Sequence, residues 1–162
     1  MIWDVLSLLV LVYWALPVAL WSLYPVIPGL RASRETYLLI FIVSLMLQFL
    51  LKATRRLPVY HSLQLRPAGA RDCNLFNRGG SYDGTIGMPS GHVLTTAFVL
   101  ASLYFTGDVS GLPAAAGILS MCASRYYRRC HTLLQVVAGA VLGGVSAFLL
   151  HRALEEPEKQ KL

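Results

Sequence analysis

The feature that most constrains this chain is the run from Val5 to Ile27, which carries no charged side chain. An apolar helix of roughly 20 residues is long enough to cross the hydrocarbon core of a bilayer. The rest of the chain has a similar character, since 56% of all residues are hydrophobic, only 14% are charged, and the mean hydropathy is +0.57. Because soluble domains carry about 25% charged residues, this composition indicates a helical membrane protein.

Apolar segments recur along the chain between polar connections, which predicts four further helices. The last two are rich in alanine and glycine, which suits close packing between membrane helices. The five predicted helices span residues 5–27, 34–57, 90–105, 112–123 and 131–154. We therefore expect an all-α integral membrane protein, a bundle of about five transmembrane helices. It forms one domain over residues 1–154, followed by a polar C-terminal tail at 155–162.

A polar loop at residues 58–88 joins the second and third predicted helices, and loops of this length are commonly functional. In a five-helix bundle this loop shares one membrane face with the connection between helices four and five. Ionisable groups at such a face are costly to bury and mark functional sites. The polar residues brought to it are Lys52, Arg66, Ser90, His92, Arg125 and His131. The active site is therefore expected at this face.

Two short motifs in this set suit chemistry on a phosphate. The segment 89–92, Pro-Ser-Gly-His, opens a helix, and the free N–H groups and dipole of a helix N-terminus attract anions. Arg125 adds a guanidinium whose fork geometry matches phosphate oxygens. Glycine in the first motif lets the backbone approach a ligand closely. The predicted phosphate-binding residues are Lys52, Arg66, Ser90, Gly91 and Arg125.

The two histidines supply a nucleophile and an acid. Gln135 follows His131 by four residues, which places both on one face of the last predicted helix. The Gln135 carbonyl would accept the Nδ1–H of His131 and aim Nε2 at phosphorus, while His92 protonates the leaving oxygen. Arginines supply the charge, so this chemistry needs no metal or cofactor, and the cysteines lack metal-ligand spacing. Nucleic acid is excluded as a partner because the basic clusters lie between hydrophobic spans.

The motifs resemble those of the type 2 phosphatidic acid phosphatase (PAP2) superfamily of membrane phosphatases. The segments 89–92 and 124–131 match two of its three motifs at every fixed position but the last. The family's first motif, Lys-x6-Arg-Pro, is only partly present, since Lys52 and Arg66-Pro67 stand further apart. The resemblance covers roughly residues 52–150 and implies a family fold with the site at one membrane face.

The resemblance also implies roles for individual residues. In that family the histidine matching His131 is the nucleophile that forms a phosphohistidine, the one matching His92 is the acid, and the arginine matching Arg125 binds phosphate. Gln135 stands where the family usually has Asp, and a carboxylate would stabilise the imidazolium as well as orient it. If Gln135 only orients the ring, an Asp in its place should support turnover.

Two branches that resemble this chain in using Gln are the dolichyl-diphosphatases and the glucose-6-phosphatases, the first being the more similar. We therefore expect a metal-independent phosphatase acting on a lipid phosphate or diphosphate, with a polyprenyl or dolichyl diphosphate cleaved to its monophosphate. The alternatives are phosphatidate, phosphatidylglycerol phosphate or a sugar phosphate as substrate. A catalytically silent relative that binds lipid phosphates is a further alternative. The expected partners are a lipid phosphate and membrane lipids, and the oligomeric state stays open.

Orientation and cysteine pairing also leave alternatives open. The positive-inside rule places the Arg-rich active face in the cytoplasm. Family resemblance instead favours the lumenal or extracytoplasmic face of the endoplasmic reticulum or the plasma or inner membrane, and we follow it. Cys73 and Cys130 lie on the same side, so a disulfide between them is an option. The simpler expectation for these two and Cys122 is three free thiols.

Overall fold

A computed structural model describes residues 2–54 and 62–159, and over these residues the chain is helical, with no β-strand and only two isolated β-bridges. The five helices are α1 (Ile2–Leu23), α2 (Arg34–Thr54), α3 (Gly91–Phe105), α4 (Gly111–Tyr127) and α5 (Leu133–Lys159). A short 3₁₀ turn at Ser62–Gln64 opens the long loop between α2 and α3. The predicted all-α fold is confirmed.

Two boundaries near the active face differ from the predicted ones. α4 extends to Tyr127, one turn beyond its predicted end, so that Arg125 lies in its last turn. α5 begins only at Leu133, because the chain first makes a turn after α4. His131 therefore precedes α5, and the expectation that His131 and Gln135 share one face of that helix is wrong.

Three helices are long and apolar enough to cross a membrane: Ile2–Leu23, Arg34–Leu51 and Leu133–Glu155. α3 is apolar too, but its 15 residues extend about 22 Å at 1.5 Å per residue, less than the roughly 30 Å of a hydrocarbon core. This pattern fits a membrane protein, while the crossing of all five helices stays a prediction. α5 continues to Lys159 and so includes part of the predicted tail.

The short helix α3 is the centre of the bundle, since it packs against each of the other four helices. Every residue from Gly91 to Leu100 is buried. Phe98 and Leu103 belong to the largest apolar core, and Val93 belongs to a second one beside α1 and α4. The surrounding helices therefore shield α3, which explains why a short helix carries so many apolar residues.

Two glycines of α5 set its distance from α3. A Cβ atom added at Gly139 would lie 2.7 Å from the carbonyl oxygen of Ser90, and one added at Gly143 would collide with the carbonyl oxygen of Leu94. Gly144, one residue further along, faces open space. Small residues allow membrane helices to approach closely. The close approach brings the start of α5 to the start of α3, where the histidines lie.

The loop over residues 62–90 turns back on itself and covers this end of the bundle. The backbone N–H of Arg66 donates to the carbonyl oxygen of Thr85, and that of Gly87 donates to the carbonyl oxygen of Gln64, both at 2.8 Å. These bonds join the two ends of the loop. They place Arg66 next to the segment that leads into α3.

A disulfide joins this loop to the turn between α4 and α5. Cys73 and Cys130 are bonded, with their Cα atoms 5.6 Å apart. The expectation of three free thiols is therefore wrong for this pair, and Cys122 is the free cysteine of the described residues. The two half-cystines are 57 positions apart in sequence, and they meet only because the long loop folds back over the helix ends.

Candidate active site

The end of the bundle where α3 and α5 begin contains a cavity of about 320 Å³. Both histidines line it, although α3 carries one and the turn before α5 carries the other. The lining includes Gln48, Arg66, Tyr82, Gly91, His92 and His131. Residues from α2, the long loop, α3 and the α4–α5 turn therefore meet here.

Gln135 connects His131 to the long loop. Its side-chain Nε2 donates to the carbonyl oxygens of Leu63 at 3.1 Å and Leu65 at 2.7 Å. An amide nitrogen must face carbonyl acceptors, so these two bonds fix the amide orientation. The Oε1 atom then lies 3.1 Å from Nδ1 of His131 and accepts a hydrogen bond from the Nδ1–H group. The lone pair of His131 is consequently on Nε2.

Arg66 reaches the site despite its wide spacing from Lys52. Its Nη1 lies 3.1 Å from Nε2 of His131 and donates to the carbonyl oxygen of Cys130 at 2.8 Å. The guanidinium also stacks over the ring of Tyr82, with its carbon 5.3 Å from the ring centre. The backbone of Lys52 belongs to α2, but its side chain lies outside the described residues.

Arg125 is fully buried at the end of α4. Its Nη2 donates to the carbonyl oxygen of Cys73 at 2.7 Å, and its Nη1 donates to the hydroxyl of Ser7 in α1. Its Nε has no hydrogen-bond partner among the described residues. Part of the guanidinium is thus anchored while one N–H is left for another acceptor.

Ser90 and His92 present two more buried polar atoms. The Ser90 hydroxyl and His92 Nε2 have no partner within the described part of the chain. The backbone of Ser90 is held in place, because its N–H donates to the carbonyl oxygen of Gln135 at 3.0 Å. Buried polar groups are nearly always hydrogen-bonded. Buried polar atoms without a partner are what a site for a polar anion would contain.

Gly91 has a packing role that the sequence did not indicate. A Cβ atom there would lie 2.8 Å from Cδ2 of Leu51 in α2. The carbonyl oxygen of Gly91 accepts a hydrogen bond from Nε2 of Gln48 at 3.0 Å. Glycine therefore allows α2 and α3 to touch at the cavity wall.

The remaining two arginines of the α4–α5 turn differ from each other. Arg128 makes an ion pair with Asp4 at 2.9 Å and donates to the carbonyl oxygen of Asp72 at 3.0 Å, so it ties α1 to the loop. Arg129 is exposed and lines an open cleft of about 720 Å³ that also borders His131. The arrangement favours an anchoring role for Arg128.

Sequence reasoning missed Gln48, which lines the cavity and also a neighbouring apolar groove of about 180 Å³. Leu75 is shared by the same two spaces. A glutamine inside an apolar helix is a signal that could have identified it. Ser7 and Tyr82 offered no such signal, because a serine in an apolar run and an aromatic residue in a loop are both common.

Positive charge around the cavity comes from arginine side chains. The described residues contain no group of three His, Cys, Asp or Glu placed to hold a metal ion. The arrangement suits binding of an anion by Arg66 and Arg125 next to His131, whose Nε2 faces Nη1 of Arg66 at 3.1 Å.

A family model described as PAP2 superfamily matches residues 35–158 of the chain, which is more than half of its length. The matched region extends from α2 into α5 and includes every predicted site residue. Comparison with curated proteins and with solved structures found no match.

Proposed function

Because the chain belongs to the PAP2 superfamily, we propose that it is a metal-independent membrane phosphatase that works through a phosphohistidine. Membership of the family implies phosphatase activity on lipid phosphates. The observation that carries the finer proposal is a set of buried polar atoms in the two motifs that contain His92 and His131. Arg125 Nε, the Ser90 hydroxyl and His92 Nε2 all lack a partner among the described residues.

The transferred phosphoryl group would be held by cations and hydrogen-bond donors. Arg66 and Arg125 face its oxygens, the Ser90 hydroxyl adds a donor, and the N–H groups at the start of α3 add their dipole. Lys52 completes this proposed set. Arg66 Nη1 lies near His131 Nε2 and would turn to a phosphoryl oxygen as the substrate enters.

The reaction then proceeds in two displacements. His131 Nε2 attacks phosphorus and forms a P–N bond while the P–O bond to the leaving group breaks. His92, which carries a proton once the phosphate anion is bound, donates that proton to the leaving oxygen. It next takes a proton from water, whose oxygen attacks phosphorus and breaks the P–N bond. Inorganic phosphate is released, and both histidines return to their starting state.

The shape of the site supports a lipid substrate over a soluble sugar phosphate. The apolar groove between α1 and α2 shares Gln48 and Leu75 with the cavity of the two histidines. Its lining includes Val10, Trp14, Leu45 and Phe49. A hydrocarbon chain attached to a phosphate in the cavity would enter this groove and gain stability from burial of its apolar surface.

Among lipid phosphates we propose a polyprenyl diphosphate, cleaved to the monophosphate. Gln135 in place of Asp supports this choice through the resemblance to dolichyl-diphosphatases. Arg129 lines the open cleft that borders His131, where a second phosphate would find a cation. Arg128 is excluded from that role by its ion pair with Asp4.

The test is release of inorganic phosphate by the purified chain in EDTA from a panel of substrates. The panel contains a polyprenyl diphosphate, phosphatidate, phosphatidylglycerol phosphate and glucose 6-phosphate. We expect the fastest release from the polyprenyl diphosphate and none from a His131→Ala variant. Release that needs added metal would contradict the mechanism, and binding without any release would identify a silent relative.

A further inference from the structure

The disulfide between Cys73 and Cys130 contacts both arginines of the site. Arg125 Nη2 donates to the carbonyl oxygen of Cys73 at 2.7 Å, and Arg66 Nη1 donates to that of Cys130 at 2.8 Å. Each arginine therefore bonds to the half-cystine that is further from it in the sequence. Arg66 lies in the same loop as Cys73 but bonds to Cys130, whereas Arg125 lies just before Cys130 but bonds to Cys73.

All of these groups are buried. Cys73 and Cys130 are 3% and 0% exposed, and Arg66 and Arg125 are 6% and 0% exposed. A buried guanidinium needs hydrogen-bond acceptors to replace water, and the two carbonyl oxygens supply them. Because the carbonyls belong to bonded half-cystines, the covalent bridge fixes the distance between the acceptors. It also fixes the backbone next to His131, which follows Cys130 directly.

We propose that the Cys73–Cys130 disulfide is a positioning element of the phosphate site, which holds Arg66 and Arg125 at the separation that a phosphoryl group requires. This inference rests on the proposed function, since it assigns both arginines to substrate phosphate. In the reduced protein the long loop is held to the α4–α5 turn by non-covalent contacts alone, hydrogen bonds and the apolar packing of Ala70 and Cys73 against Cys130, so both guanidinium groups lose their fixed separation. The helices do not depend on the bridge, because α3 and α5 pack through Gly139 and Gly143.

The disulfide also restricts the compartment that the site can face. Disulfides form and persist in the endoplasmic reticulum lumen, the periplasm or the cell exterior, and are rare in the cytosol. A site that works only with this bridge intact must face one of those compartments. The excess of arginine on this face then reflects phosphate binding and loop anchoring instead of a cytoplasmic location.

The experiment compares the oxidised and reduced chain in lipid nanodiscs. Dithiothreitol reduces the cystine to two thiols and is itself oxidised to its cyclic disulfide, and the new thiols are then alkylated. Three quantities are measured: kcat and KM for phosphate release from the best panel substrate, Kd for inorganic phosphate, and helical circular dichroism at the assay temperature. We expect kcat/KM to fall on the order of 10- to 100-fold and the Kd for phosphate to rise, with helicity unchanged. Reoxidation before alkylation should restore kcat/KM and the Kd for phosphate to the values of the oxidised protein.

Variants at the cysteines provide matched controls. Cys122→Ser should keep full activity and full sensitivity to dithiothreitol, because this residue is a free thiol away from the bridge. The double variant Cys73→Ser and Cys130→Ser should be insensitive to reductant and should match the reduced protein in kcat/KM and in the Kd for phosphate.

Two results would overturn the positioning role: a reduced and alkylated protein with undiminished kcat/KM and phosphate affinity, or a loss of activity accompanied by a loss of helix. The proposed function can fail separately, if the oxidised chain binds phosphate but releases none from any substrate. A Kd for phosphate that depends on the redox state would then still support the positioning role, and one independent of redox state would refute it.

Discussion

The side-chain amide of Gln135 orients His131 and also holds the start of the long loop, and Gln135→Glu separates these two roles. The exchange keeps the size of the side chain and keeps an oxygen that can accept the Nδ1–H of His131, now 3.1 Å from Oε1. It removes the N–H groups that donate to Leu63 at 3.1 Å and Leu65 at 2.7 Å. A carboxylate oxygen, which can only accept, then faces the two carbonyl oxygens. Position 135 is fully buried in the wild type.

The structure gives the size of the effect. A buried polar group left without its partner costs about 1–3 kcal/mol, and this cost applies at the carbonyl oxygen of Leu65. The carbonyl oxygen of Leu63 can bind water instead, because Leu63 is 53% exposed. The start of the long loop should detach, and Arg66, which follows Leu65 directly, should move with it. Since 1.36 kcal/mol corresponds to about tenfold in rate, kcat/KM should fall by at least about fivefold.

The assay is phosphate release with purified Gln135→Glu, with thermal unfolding measured in parallel. Gln135→Met, which removes both ends of the amide, should lose at least as much activity. A carboxylate that served only to orient and stabilise the His131 imidazolium would raise the rate instead. A glutamate variant as active as the wild type would therefore refute the role of Gln135 in holding the start of the long loop. It would restore the simpler view, in which Asp at this position also supports turnover.

Two further predictions use matched pairs. Gly143→Ala should lower the free energy of unfolding by about 1–3 kcal/mol through overpacking against α3. It should also reduce kcat/KM, because the close approach of α5 to α3 holds His92 near the turn that carries His131. Gly144 faces open space, so Gly144→Ala should change the free energy of unfolding by no more than about 1 kcal/mol without loss of activity. Equal effects of the two substitutions on thermal unfolding would contradict the close packing of Gly143 against α3. In a Cys122→Ser background, exposed Ser81→Cys should react with an impermeant maleimide added from the extracytoplasmic side of sealed vesicles. Exposed Ser110→Cys, at the other end of the bundle, should react only after permeabilisation, and the opposite result would place the site in the cytoplasm.

Topology made much of the site predictable from sequence. Ser90 and His92 stand at the start of one helix, and Arg125 and His131 stand on either side of the turn between two others. An up-and-down order of helices brings these ends to one face, whatever the details of packing. The prediction therefore needed only the order of apolar segments and the positions of two motifs.

Contacts made by the long loop were not predictable in the same way. The loop has no periodic pattern, so the shared side of Cys73 and Cys130 left their disulfide only an option, and nothing indicated that Leu63 and Leu65 would bind the amide of Gln135. Arg66 was expected at this face from topology, and the family motif that includes it had the wrong spacing. These contacts depend on how the loop folds back, which tertiary packing decides.

The central claim is that His131 carries the phosphoryl group during turnover. The most direct measurement mixes the chain with a substrate labelled in the transferred phosphate, quenches the reaction in alkali within milliseconds, and maps the label by mass spectrometry. With a substrate whose leaving group needs no proton, a His92→Asn variant, which lacks the group that activates water, should accumulate the intermediate. We expect an acid-labile, alkali-stable phosphoryl group on His131 that disappears in His131→Ala. Label on another residue, or phosphate release that survives in His131→Ala, would contradict it.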